Sequence, residues 1–452
     1  MKKIRIATGT GFWGDKLDAA YAAVEEGNIN YLCSDHLAEL TMCILQKLKK
    51  RNPNDGYTRD IVPMMKRILP TAVKKGIKII DNSGGVNPEA AADKVVEIAR
   101  ELGLKGLKVA CVLGDNITDR VAELRSRGIC FDHMDTGQKF ETIQDQMVNA
   151  SVYIGCESIV EALKQGADVV ITGRTSDLAV FLGPMIYEFG WNMDEWDKLA
   201  AGSLVAHMME CSGQGSGGNY SFGWKTTPEP WKLGYPIVDM FENGDAVLSK
   251  VEGEGGCMTV EGLKEQLVYE VHDPRNYINP DVIVDVTAVQ LQELGKDQVK
   301  VTGTKGKPRP EQLKVCMGYD DGFIGEGRCM YSWPDALDKA KAGGEYVLKR
   351  LEMANVKPDE VKVDYIGYNS LWGSVAPPIH YDPNEIELRV AVKTKVAADA
   401  ALVGREMVAM GVCGPAGMTG YTAPSAPREV VSVWSALIPR EEIKTCVVMK
   451  VA

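Results

Sequence analysis

The stretch Ile4-Arg5-Ile6-Ala7 runs into Thr8-Gly9-Thr10-Gly11-Phe12-Trp13-Gly14-Asp15 and then into Leu17 to Val24, which Gly27 stops. It reads as a short strand, a glycine-rich turn and a helix. The alternation continues outward. Ile29 to Cys33 is a strand, Leu37 to Lys50 and Met64 to Lys75 are helices, and Ile77 to Ile80 is a strand ending in Asn82-Ser83-Gly84-Gly85-Val86-Asn87. Pro88 to Leu102, Leu107 to Leu113 and Ile117 to Arg127 add helix, strand and helix. Ala167 to Thr172 is a buried-type strand with Gly173-Arg174-Thr175-Ser176-Asp177 at its end, followed by helices at Leu178 to Phe189 and Leu199 to Cys211. This spacing predicts an α/β domain over residues 1–225, with a doubly wound, mostly parallel sheet. Beyond 225, hairpin-like runs appear at Ile237 to Phe241 and Ala246 to Leu248, split by Glu242-Asn243-Gly244-Asp245. Residues 226–452 are therefore expected to form an α+β domain packed on the strand-end loops, with the site between the two.

The chain has 452 residues, 45% hydrophobic and 25% charged. At about 150 residues per domain this is two or three domains with a sizeable core. Fifty-one Lys and Arg against 62 Asp and Glu give a net charge of −11. Without a basic run, an acidic chain lacks the phosphate-neutralising surface that nucleic-acid binding needs. The 11 cysteines include no C-x-x-C pair, and the N-terminus has no apolar stretch of signal-peptide length. A cytoplasmic protein is expected.

Gly9, Gly11 and Gly14 fit G-x-G-x-x-G between a strand and a helix, and Asp35 lies about twenty residues on, the spacing of a dinucleotide fingerprint. Asp15 stands where the helix dipole would meet a phosphate, so a plain βα turn with Asp15 closing it fits the same residues. Four loops would line one edge of the sheet, where ligands bind in such folds. They contribute Gly9 to Asp15; Ser83, Gly84, Gly85 and Asn87; Gly114 to Asn116; and Arg174, Thr175 and Asp177. Arg174 is suited to clamp a carboxylate or phosphate bidentately. His207 and Glu210, three apart on one helix, form a candidate proton-transfer pair, with Asp177 as a third catalytic candidate. Their helix runs into a loop containing Gly217, Gly218 and Asn219. Asp35, His36 and Glu39 make a further acidic cluster without a recognisable metal spacing, and Glu157 after Cys156 reads as a first-turn acid. No metal site and no cofactor is assigned.

Several strings resemble one family: TGTGFWGDKLDAA (8–20), LAELTM (37–42), NSGGVNP (82–88), GADVVITGRTSDLAVFLGPMIYEFGW (166–191), AAGSLVAHMMECSGQGSGGNYSFGW (200–224) and EQLVYEVHDPRNYINPDV (265–282). The chain is similar over nearly its whole length to the acyclic terpene utilisation (AtuA) family. That resemblance implies a catabolic role in the breakdown of acyclic terpenes or branched acids, with substrates carried as coenzyme A thioesters. Longer members continue into a ferredoxin-like segment. A small ferredoxin-like partner subunit is therefore expected, docking near a rim at Gly411 to Pro427, together with homo-oligomerisation; the alternative is a self-sufficient homodimer whose long terminal loop folds back on its own core. The expected activity is that of a lyase, a hydratase or dehydratase acting on a small unsaturated or hydroxy carboxylate or its thioester. An NAD-dependent oxidoreductase using the G-x-G-x-x-G loop, and a non-catalytic scaffold subunit, are the alternatives.

Overall fold

Strand β1 (Lys3–Thr8) is buried on both faces in its second half: Ile6 and Ala7 point opposite ways and neither is exposed. A strand apolar on both sides needs helices on both sides. The computed structural model, which describes residues Met1–Ala452, supplies them. Along the chain come α1 (Asp18–Glu26), β2 (Tyr31–Ser34), α2 (Glu39–Arg51), α3 (Ile61–Lys75), β3 (Lys78–Asp81), α4 (Pro88–Glu101) and β4 (Lys108–Leu113). Next are α5 (Val121–Ser126), β5 (Met147–Val152), α6 (Glu157–Lys164), β6 (Val169–Ile171), α7 (Ala179–Phe189) and α8 (Trp196–Glu210).

Strands β1, β2, β3, β6 and β4 lie side by side, and each neighbouring pair is parallel. Ala7, Leu32, Ile79, Val109 and Ile171 form one core with α1, α3 and α4. The alternate residues face the other way, where α7 packs on β1 to β3 and α6 on β4 and β6. The Tyr31 hydroxyl reaches Glu188 of α7 at 2.7 Å across that face.

The hairpin read from the sequence forms as β7 (Ile237–Phe241) and β8 (Ala246–Ser249), but it does not begin a new domain. β7 runs antiparallel to β1 over five residue pairs, from Lys3 opposite Phe241 to Ala7 opposite Ile237. After α9 (Val260–Val268), β9 (Tyr277–Ile278) and β10 (Ile283–Asp285), strands β11 (Gln290–Gly295) and β12 (Gln298–Thr302) extend the same edge beyond β8. The sheet is thus a mixed one of ten strands rather than a mostly parallel, doubly wound one. β1 stands at one end of the parallel set, and hairpin strands, which have no crossover helix to reverse them, add antiparallel. β13 (Lys305–Lys307) pairs with β10 in a separate small sheet laid on α8.

The boundary expected near 225 therefore falls inside one compact unit, Met1–Gly318 with Val433–Ala452; the second unit is Tyr319–Ser432. The chain continues through β14 (Gln312–Ser332), α10 (Ala336–Met353), β15 (Glu360–Ile366), β16 (Glu385–Thr394), α11 (Ala397–Cys413), β17 (Met418–Thr419), β18 (Arg428–Pro439) and β19 (Cys446–Val451). In the second unit the strands lie in the order β15-β16-β14, with β18 also paired to β14. That β-α-β-β-α-β path is the split-βαβ, ferredoxin-like arrangement. Its core joins Tyr331, Leu388 and Val390 to Val347, Leu351, Val403 and Met407 of the two helices. β19 returns to the first unit and closes the ten-stranded sheet against β4, antiparallel. No helix is long and apolar enough to cross a membrane.

Ile80 is fully buried on β3, midway across the parallel strands. Ile80→Ala should cost about 2–5 kcal/mol, the transfer and cavity terms together. Urea unfolding monitored by circular dichroism checks this. Val361→Ala, on a half-exposed position of β15, should change stability by less than about 0.5 kcal/mol.

Candidate active site

The glycine-rich turn after β1 is closed by its own acids. Asp15 accepts from the Gly11 amide at 2.9 Å and the Lys16 amide at 2.8 Å, and its other partner is the Tyr235 hydroxyl. The Gly14 amide, at φ +94°, donates to Asp60 at 2.6 Å. The two amides a pyrophosphate would need are thus already paired with carboxylates, and α1 begins only at Asp18. What the turn does is pack tightly. A Cβ on Gly11 would sit 2.7 Å from the Glu210 carbonyl, so only glycine lets this loop lie against the end of α8.

The Ser83 to Asn87 loop is also a structural clamp. The Asn87 side-chain Nδ2 donates to the carbonyls of Pro53 and Asp55 at 2.8 and 2.7 Å, and the Ser83 carbonyl accepts from the Thr58 backbone amide. Gly217, at φ +98°, and Asn219, at φ +54°, turn the chain after α8, and Gly218 packs against the Gly213 carbonyl. None of these expected substrate contacts lines the cavity described below.

Arg174 is the largest fully buried side chain in the protein. Its Nε donates to the Thr175 carbonyl at 2.7 Å, and its two terminal nitrogens reach the Leu37 carbonyl and Asp177. The guanidinium also lies 4.4 Å from the centre of the Tyr153 ring. Arg174 is spent inside the protein, holding the ends of β2 and β6 together, and does not clamp a ligand as the sequence suggested. Its amide donates to Asp115 at 2.8 Å.

Helix α8 is buried on all sides from Leu199 to Glu210, helped by Ala200, Ala201, Gly202, Ser203 and Ala206. The helix stops where Ser212 turns to φ +50°. Its last turn delivers the expected pair: His207 Nδ1 is 3.5 Å from Glu210 Oε1. The small sheet adds a member the sequence reading missed. Tyr277 of β9 places its hydroxyl 3.4 Å from the same nitrogen, and the two rings lie 5.1 Å apart. His207 is 1% exposed and its Nε2 has no partner. Tyr277 lay in the 265–282 string, yet nothing in its local pattern marked it, since the contact is made across the fold.

A cavity of about 1210 Å³ opens beside this turn. Glu210, Asp177, Glu39, Tyr153 and Tyr277 line one part of it. Glu39 accepts from the Tyr153 hydroxyl at 2.7 Å and lies 3.5 Å from Lys314. Asp35 sits buried behind, accepting from Asn82, and His36 lies 3.4 Å from Asp81 and 3.1 Å from the Thr10 hydroxyl.

Asp35, Asp177 and Glu39 share the field of one buried guanidinium, yet they shift in different directions. Burial pushes Asp35 up to about 6, against Arg174 and Asn82, which lower it. Burial likewise pushes Asp177 well above the usual carboxylate range; Arg174 opposes this, while Asp35, Glu210 and Glu39 reinforce it. The Asp177 side chain nevertheless keeps 39% of its surface open towards the cavity. Burial works against Glu39 too, but Tyr153, its own backbone amide and Lys314 outweigh it and hold the carboxyl low. Burial disfavours the His36 cation, but Asp81 overcomes that and raises its pKa. The cluster thus sets Asp177, biased by burial toward its protonated form, beside Glu39, biased toward its ionised form, a division of the kind acid–base chemistry uses.

Asp115, beneath the Arg174 backbone, is pushed up by burial to about 6, against about 3.9 unfolded. Since the folded value is the higher, its contribution favours the fold below about pH 4 and is lost as pH rises through about 6. Between pH 4 and pH 7 the wild type should lose on the order of 2 kcal/mol relative to Asp115→Asn. Urea titrations of both proteins at the two pH values measure that difference.

The acyclic terpene utilisation family AtuA matches residues 4–449. No curated protein and no solved structure matches the chain. The family match takes in every strand-end loop, the whole of α8 and the β9 tyrosine, and on that extent the chain belongs to the acyclic terpene utilisation family AtuA.

Proposed function

We propose that this protein is a catabolic lyase that adds water to, or removes it from, a small unsaturated or hydroxy carboxylate or its coenzyme A thioester. The observation that carries the reading is geometric: Glu210 and Asp177 are two carboxyls lining one cavity, and burial biases Asp177 toward its protonated form. In the dehydration direction Glu210 takes the proton alpha to the carbonyl. The electron pair left behind forms the carbon–carbon double bond as the carbon–oxygen bond breaks, and Asp177 protonates the departing hydroxide to give water. His207 positions Glu210 from below, and the Tyr277 hydroxyl, on the cavity wall, is the donor available to a developing enolate oxygen. Backbone amides of the β1 turn do not serve that role, since Asp15 and Asp60 already occupy them. The same occupancy counts against the NAD-dependent alternative.

The test is a survey of α,β-unsaturated acids and their thioesters, with the gain of water read by mass spectrometry. Glu210→Gln and Asp177→Asn should each lower turnover by about 10²–10⁴-fold with unchanged circular dichroism. Full turnover in Glu210→Gln, or hydride transfer in place of hydration, would sink the proposal.

The ferredoxin-like partner and the homo-oligomer belong to the same proposal. Supporting an interface, Leu371, Trp372, Val375 and Tyr381 stand between 67% and 93% exposed on one loop after β15, and Val412, at the head of the expected rim, is 93% exposed. Size-exclusion chromatography with light scattering should give more than one copy of the chain, and Trp372→Asp should shift the particle toward the monomer. A wild-type monomer with no co-eluting small subunit would end this part of the reading.

A further inference from the structure

The cavity also has a cationic lining. Arg440 and Arg309 line it, and neither makes a hydrogen bond or ion pair to Glu39, Asp177 or Glu210. Arg440 is held by carbonyls alone: Nε and Nη2 donate to Pro310 at 3.3 and 3.2 Å, and Nη2 also reaches Pro280. Its own backbone amide donates to the Glu311 carbonyl at 2.9 Å, which fixes the residue over the 309–311 turn. Arg440 forms no ion pair, and its Nη1 makes no hydrogen bond within the protein. Arg309, one residue before Pro310, uses only Nη1, on Glu157 at 2.7 Å. The exposed carboxylates of Glu311 and Glu441 share the rim and pair with neither arginine.

Carbonyl oxygens orient a guanidinium but do not neutralise it. Burial and the neighbouring Arg309 lower the proton affinity of Arg440, and the carboxylates of Asp281 and Glu157 offset this only in part. An oxyanion placed between them would relieve that repulsion and take the donors left unused. The volume of about 1210 Å³ also exceeds what a small monocarboxylic acid fills.

Building on the proposed lyase reading, we infer that Arg440 and Arg309 form an oxyanion-binding site in this cavity and that the substrate carries a distal phosphoryl or carboxylate group there, in addition to the carbonyl that reacts beside Glu210.

Isothermal titration calorimetry on the full chain tests this with inorganic pyrophosphate and with glutarate as separate probes. Wild type should bind at least one of them in the millimolar range or tighter, and more weakly as salt is raised. Pyrophosphate alone would identify a phosphoryl handle, and glutarate alone a carboxylate. Arg440→Gln and Arg309→Gln should each weaken binding about tenfold or more, as expected for the loss of a charge-assisted hydrogen bond. Should Arg440→Gln fail to fold, Arg309→Gln decides alone, because its side chain supports no carbonyl. Wild type that binds neither probe, or arginine variants that bind as tightly as wild type, would overturn the inference. Binding is read here without turnover, so a failure of the lyase chemistry and a failure of the anion site give different results.

Discussion

A guanidinium with no exposed surface must find a partner for each N–H it turns inward, and Arg174 finds its partners on different parts of the sheet edge. Thr175 and Asp177 come from the loop after β6, and Leu37 from the segment after β2. Tyr153, from the segment after β5, covers its face. Removing the charge would leave carbonyls and carboxyls stranded in a dry interior. The geometry of the strand ends follows from satisfying this one cation. So does the electrostatic character of the cavity, because Arg174 is the field in which Asp35, Asp177 and Glu39 titrate.

The parallel core was legible because each of its strands is a short apolar run followed by a polar turn, a purely local signal. The hairpin at β7 and β8 was legible for the same reason, from Asn243-Gly244 between two apolar runs. Its destination was not, since an edge strand and the start of a new sheet read alike until the partner is known. β19 was equally silent about its place: Cys446 to Val451 is a plain apolar strand whose partner β4 lies far back in the chain. The change of texture near 225 was real, but it marks the end of the crossover helices rather than the end of a compact unit.

The site was legible in outline and misread in detail. His207 and Glu210 are three apart on a helix, and that spacing alone brings them together. Arg174 looked like a ligand clamp because sequence cannot show that each of its three nitrogens is already engaged within the fold. Asp15 was read as a carboxylate that would repel an anion, and in the structure it accepts from the Gly11 and Lys16 amides. Tyr277, Arg309 and Arg440 carried no local mark. They reach the cavity only through strand pairing and a late return of the chain, which periodicity does not encode.

The late return of β19 has a consequence for how the protein is made. β4 offers its outer edge, with unpaired N–H and C=O groups on an apolar strand, from the moment it emerges from the ribosome. The residues that cover it are synthesised only after the whole ferredoxin-like unit has been threaded between them. Throughout translation the nascent chain carries an open template for strand addition. A delay in the final stretch therefore leaves a species prone to aggregate by edge pairing, even when every earlier element has already folded.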